Sequence, residues 1–230
     1  MLPPGEFIGV AEELGLIGAV GRLVLETVCV DARRWLDQGL PQIRIAVNLS
    51  ARQFEESRLI EDLNHVLLHT GCDPFSLEFE ITESVLMTSP ERALEMLEQI
   101  KEHGITLAID DFGTGHSSLA YLKRFPVDSL KIDRTFVRDL AVDPNDLAIT
   151  KAILAMGHSM GLKVVAEGVE TALQLEMLKR FECDEYQGYL YSGAVAAPEF
   201  EQFLRSLAEA PRQDVPRALP SRGRPESARR

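Results

Sequence analysis

ITLAIDDF (residues 105–112) and DSLKID (128–133) decide how this chain is read. Each is a short apolar, β-branched run that closes on charged side chains, the pattern of a buried strand delivering functional groups at its C-terminal end. The same unit recurs on both sides. IRIAVNLS (43–50) and SLEFEITE (76–83) come before, and LKVVAEGVE (162–170) and DEYQGYLY (184–191) come after. Between these runs, apolar residues fall three and four apart over 58–69, 90–103, 145–160 and 171–181, which predicts helices. Two further helical patterns, 6–14 and 17–38, precede the first strand, with a break near Gly15 and Gly18. Short strands alternating with longer helices predict βαβ units on a parallel sheet, an α/β fold.

Composition sets the class. The 230 residues are 45% hydrophobic and 26% charged, ordinary values for a folded globular protein, which exclude disorder on a large scale. One domain over 1–208 is the simpler division. The last twenty residues, PRQDVPRALPSRGRPESARR, carry six Arg and four Pro with no apolar periodicity, so 209–230 are expected to be a disordered basic tail. No apolar run approaches the roughly 18 residues that span a bilayer, and the start lacks the basic-then-apolar progression of a signal peptide. A cytoplasmic protein without a transmembrane segment is expected. Cys29, Cys72 and Cys183 are odd in number and far apart, with no spacing that suggests zinc or a disulfide framework, and are read as buried thiols. The net charge of -12 argues against binding a nucleic acid polymer, and a polyanionic ligand would need cations as intermediaries.

The strand ends carry the chemistry. In order they present Asn48, Glu80 with Glu83, Asp110 with Asp111, Lys131 with Asp133, Glu167 with Glu170, and Gln187. In a parallel α/β barrel all of these ends converge on one face, where active sites sit. Clustered carboxylates repel one another unless cations join them, and a donor set of carboxylate and amide oxygens suits Mg²⁺ or Mn²⁺ better than zinc. Taken singly, each group has a plainer role: strand-end Asp, Asn and Glu often cap helices, Lys131 can pair with a neighbouring carboxylate, and Gln187 can satisfy backbone groups. Joint occurrence on six strands is what favours a site. His65 and His69 lie one helical turn apart, yet without a third ligand they read as a solvated helix face.

VNLS (47–50), EITES (80–84), DDFGTGHSSL (110–119), LKID (130–133), AEGVET (166–171) and QGY (187–189) together resemble the ordered motif series of EAL domains, which hydrolyse cyclic di-GMP in bacterial signal transduction. The resemblance runs from Met1 to about residue 207 and implies a TIM-type (β/α)8 barrel with a two-metal site for Mg²⁺ or Mn²⁺. It implies that Asn48, Glu80 and Asp110 bind the first ion, and that Asp110 and Asp111 bind the second, Asp110 bridging. Lys131 and Glu167 match the positions that orient or deprotonate the attacking water. Glu83, Asp133, Glu170 and Gln187 would shape the substrate site. Gln187 would border the guanine pocket, and Glu83 would anchor the loop 112–118, through which the family dimerises. The product implied is linear pGpG.

The segment PPGEFIGVAEELGLI (3–17) resembles the part that follows the family's Glu-x-Leu strand. On this reading the barrel is incomplete, with about six of eight strands, and the first metal site is one glutamate short. Two readings follow: an active phosphodiesterase, within a longer chain carrying sensory or GGDEF-type modules, or an inactive cyclic di-GMP receptor or protein-interaction module. His116 stands where the family usually has Tyr, Glu182 where it usually has Gly, and Ala194 where it usually has Pro.

Overall fold

A computed structural model describes residues 4–55, 58–115 and 119–209. All six expected strands form: β1 (Ile45–Asn48), β2 (Leu77–Thr82), β3 (Thr106–Phe112), β4 (Ser129–Ile132), β5 (Lys163–Ala166) and β6 (Glu185–Tyr186). They pair in parallel and in sequence order. That is the order a (β/α) barrel generates, because each crossover carries the chain to the next position along the sheet. The sheet is curved. Glu78 of β2 senses the charge of Glu185 of β6, although four interstrand steps of about 4.8 Å would hold them about 19 Å apart on a flat sheet. The two also line one cavity with Lys131 and Lys163. The fold is therefore an α/β partial barrel of six strands, as the sequence leads one to expect.

Eleven helices accompany the strands among the described residues: α1 (Pro4–Glu13), α2 (Ile17–Asp37), α3 (Ala51–Glu55), α4 (Leu59–Thr70), α5 (Glu83–Thr88), α6 (Pro90–Glu102), α7 (Leu119–Leu122), α8 (Arg134–Arg138), α9 (Pro144–Ser159), α10 (Ala172–Arg180) and α11 (Ala197–Glu209). Local chemistry sets several boundaries. Asp143 accepts a hydrogen bond from Asn145 N ahead of α9, with Pro144 in the first turn, and Thr171 and Gln174 form a capping box at α10. Of the two glycines expected to separate the first helices, Gly15 makes the break, with φ +69°, and Gly18 lies inside α2. No helix among the described residues is long and apolar enough to cross a membrane.

Strand alternation sorts the side chains. Leu77, Phe79 and Ile81 of β2 join the buried apolar cluster under the helices, while Glu78 and Glu80, at the alternate positions, line the opposite face. Leu107, Ile109, Leu130, Ile132 and Val164 continue that cluster. Each such fully buried side chain contributes about 2 kcal/mol or more. A smaller cluster joins the chain's two ends: Trp35 of α2 packs on Leu204 and Phe200 of α11, the Trp35 and Phe200 rings 5.4 Å apart, with Ile45 of β1 beside them. The chain thus returns from the β6 edge of the sheet to its β1 edge. The sequence reading assigned no helix to 197–209. Of the expected basic tail, residues 210–230 lie outside the described residues.

Candidate active site

The site begins with a fault in β3. Pairing with β4 runs regularly through Ile109 and then shifts register before Phe112. The irregularity is at Asp111, whose φ is +52°, a left-handed conformation rare for a residue with a Cβ. Consecutive residues of a regular strand point to opposite faces. The bulge removes that alternation, so that carboxylate oxygens of Asp110, Asp111 and Glu167 come within 4.8 Å of one another.

Lys131, the third residue of β4, supplies the centre. Its side chain is 4% exposed, and its Nζ lies 2.5 Å from Glu80 Oε1, 2.5 Å from Glu167 Oε1 and 3.2 Å from Asp110 Oδ1. Burial works against the ammonium, but the Glu80 and Glu167 carboxylates outweigh it and hold its pKa above the ordinary lysine value. Burial likewise raises Glu80 and Glu167, with Lys131 opposing. Asp111 is pushed up to about 6 by burial, by the charge of Asp110 and by a hydrogen bond with Asp133. Four carboxylates therefore face one ammonium. Asp110 Oδ1 is buried and makes no hydrogen bond, its approach to Lys131 being an ion-pair distance without hydrogen-bond geometry. A buried carboxylate oxygen without a hydrogen bond, in a site of net negative charge and surrounded by oxygen donors, fits a divalent cation.

The remaining expected residues divide. Asn48 ends β1 in register with Glu80, and its side is open to solvent. Gln187 follows β6, donates its N–H to Ala166 O at 2.8 Å and lines a cavity of about 320 Å³ with Glu80 and Lys131. Glu83, at the start of α5, is buried and accepts a hydrogen bond from Gly113 N at 3.2 Å, so it anchors the described part of the 112–118 loop. His116 and its neighbours 117–118 lie outside the described residues. Asp133 caps α8: it accepts from Thr135 N at 2.8 Å and Thr135 Oγ1 at 2.5 Å, and these bonds, against burial, lower its pKa. Glu170 is exposed and outside the carboxylate cluster; it engages Gln174 Oε1 through its backbone N–H at 2.8 Å. His65 and His69 stack at 3.9 Å between centroids, and Arg22 reaches His65 Nδ1 at 3.2 Å.

Sequence reasoning missed a second charged layer on the same inner face. Arg44, just before β1, pairs with Glu78 at 3.4 Å and Lys163 with Glu185 at 3.0 Å, Glu78 and Glu185 lying one inward-facing position before Glu80 and Gln187. The signal was present as period-two polarity, Glu78 then Glu80 and Glu185 then Gln187.

The EAL domain family model matches residues 1–194. The signaling protein YkoW of Bacillus subtilis is 46% identical over 202 residues, covering 88% of this chain and 25% of that protein. The bifunctional diguanylate cyclase/cyclic di-GMP phosphodiesterase MucR of Pseudomonas aeruginosa is 46% identical over 208 residues, covering 90% of this chain and 30% of that protein. A solved structure of the PaMucR phosphodiesterase in complex with c-di-GMP superposes with a TM-score of 0.84 at 45% identity, over 86% of this chain and 81% of that one. The chain spans less than a third of the length of these two curated relatives. By sequence, by fold and by the groups at its strand ends, the chain belongs to the EAL domain family.

Proposed function

We propose that this domain is a divalent-metal-dependent phosphodiesterase that opens cyclic di-GMP to linear pGpG. The observation that carries the reading is the convergence of Asp110, Asp111 and Glu167 beside the Lys131–Glu80 pair, with a buried Asp110 oxygen that makes no hydrogen bond. Similarity to the MucR phosphodiesterase, whose structure holds c-di-GMP, supports the choice of substrate. Asn48, Glu80, Asp110 and Asp111 would hold Mg²⁺ or Mn²⁺, with Glu167 close enough to Asp110 and Asp111 to share that task. When bound, such ions supply Lewis acidity toward the phosphoryl oxygens and lower the pKa of the attacking water.

The chain's own residues do the rest. Water attacks phosphorus, the bond to a ribose 3′ oxygen breaks with that oxygen taking a proton from solvent, and the 5′ phosphate stays with the product. Glu167 takes the proton from the water, and Lys131, 2.5 Å from it, fixes the direction of its carboxylate. Gln187 and Asp133 bound the space the nucleotide enters. Glu83 holds the loop that begins at Phe112, and the same reading expects a homodimer through residues 112–118.

Chromatography of cyclic di-GMP incubated with protein and Mn²⁺ or Mg²⁺ tests this. Wild type is expected to release pGpG, and Glu167→Ala to turn over about 10²- to 10⁴-fold more slowly, the usual loss for a general base. Folded protein that binds the nucleotide without cleaving it would replace the hydrolase with a receptor.

A further inference from the structure

Three cations on the segments that lead to or follow the strand ends are engaged. Lys131 faces Glu80, Glu167 and Asp110, Arg52 of α3 donates to Glu12 O, and Arg138 pairs with Asp139 at 3.0 Å. Arg134 is not. It opens α8 two residues after β4, it is exposed, and its side chain makes no ion pair or hydrogen bond among the described residues. Its stem, by contrast, is held. Gly168, with φ +68°, packs directly on it: a Cβ at Gly168 would lie 2.6 Å from Arg134 Cβ, 3.4 Å from its Cα and 3.9 Å from its Cγ. One residue before Gly168, Glu167 N donates to Ile132 O at 3.2 Å. Arg134 is therefore seated between Asp133, its neighbour in the chain, and the loop that carries Glu167. Both border the carboxylate cluster, since Asp133 shares a hydrogen bond with Asp111 and Glu167 is one of the cluster's members. The charge of Arg134 is felt there: against burial, it adds to the Thr135 hydrogen bonds in holding Asp133 below the ordinary aspartate value.

We propose, resting on the cyclic di-GMP reading of the site, that Arg134 binds the second phosphate of the cyclic dinucleotide, the one that is not cleaved. That ligand brings two phosphodiester charges to a face on which carboxylates outnumber cations. With the reacting phosphate met by the ions that Asp110 and its neighbours would hold, the other phosphate needs a cation of its own. A guanidinium suits it, being planar, weakly hydrated and able to give two parallel N–H bonds to one phosphate. Because Gly168 already fixes the first carbons of the side chain, fewer rotors are left to be immobilised when the head engages. Gly168 in turn joins the two roles: the residue that seats the Arg134 stem directly follows Glu167, so the second phosphate and the proposed base are positioned by one loop.

The test is equilibrium binding, which needs no turnover, measured in Mg²⁺ on the full chain carrying Glu167→Ala. Arg134→Gln keeps the Cβ and Cγ that pack on Gly168, so its melting curve should overlay that of the parent. Its Kd for cyclic di-GMP is expected to rise about 10- to 100-fold, the loss of a charged hydrogen bond to phosphate. Arg134→Lys should fall between the two, because lysine restores the charge without the fork. The linear dinucleotide GpG has a single phosphate, which the ions would take, and its Kd should rise far less. A cyclic di-GMP Kd in Arg134→Gln equal to that of the parent would overturn the proposal and leave Arg134 a surface charge. An equal loss for GpG would overturn it too, as the mark of a general disturbance of the site. A parent protein that binds no cyclic di-GMP would instead remove the substrate reading, and the second-phosphate contact with it.

Discussion

Glu182 holds a backbone conformation that its side chain disfavours. It follows the last turn of α10 with φ +59°, its N–H bonded to Lys179 O at 3.0 Å and the next N–H, of Cys183, to Leu178 O at 3.0 Å. This is the left-handed residue that closes a helix and feeds the next strand, a place where glycine is the unstrained choice. Its side chain is exposed, so nothing is lost by removing it. Glu182→Gly is therefore expected to stabilise the domain by about 1 kcal/mol, less the entropy that glycine adds to the unfolded chain. Urea unfolding of the two proteins reads it directly, and an unchanged or lower midpoint would show that the strain is absorbed elsewhere. Asp111 carries the same kind of strain, φ +52°, but at a position where relief would remove a carboxylate from the site.

At the scale of elements, the two loops that carry Glu167 and Gln187 act as one unit. Val169 N bonds Gln187 O at 3.0 Å and Leu190 N bonds Val169 O at 3.0 Å, stitching the chain after β5 to the chain after β6. The stitch works because Gly188 has no side chain: a Cβ there would lie 2.2 Å from Val169 O and 2.3 Å from Val169 N. Gly188→Ala must push the loops apart, at a cost of about 3 kcal/mol, and is expected to lower turnover together with stability. Rescue of full activity at low temperature, where the fold is intact, would show that the stitch does not position Gln187. The strands themselves were legible because β-branched runs between helical patterns leave one economical fold, and the site residues because they end those runs. The bulge at Asp111 was not legible. A register shift depends on what the neighbouring strand offers, and no local pattern in DDFG announces it. That Asp133 caps α8 was not legible either, because a cap depends on which N–H groups lie nearby, and Thr135 N is the one that Asp133 meets.

The whole molecule sets the sign of its pH response. Its inner face gathers carboxylates on four of the six strands or the residues just after them, answered there by Arg44, Lys131 and Lys163. That face was legible as charge at period two, whereas its curvature, which lets Glu78 sense Glu185, belongs to the assembled sheet alone. Asp111, at about 6, and Glu80, Glu167 and Glu78, all raised mainly by burial, titrate higher folded than unfolded. Groups raised in this way contribute stability that is complete below their unfolded pKa and is lost as pH rises through the folded value. Without metal, Asp111 should therefore weaken the fold as pH rises through about 6, and the three raised glutamates act in the same direction. A divalent ion binding the ionised carboxylates works in the other direction, stabilising the folded state by mass action and competing with protons for the same oxygens. The melting temperature in Mg²⁺ or Mn²⁺, minus that in EDTA, is accordingly expected to be large at about pH 8 and to shrink toward zero as pH falls through about 6. A difference independent of pH would place the ion away from Asp111 and its neighbours, and no difference at any pH would remove the metal site from the proposal.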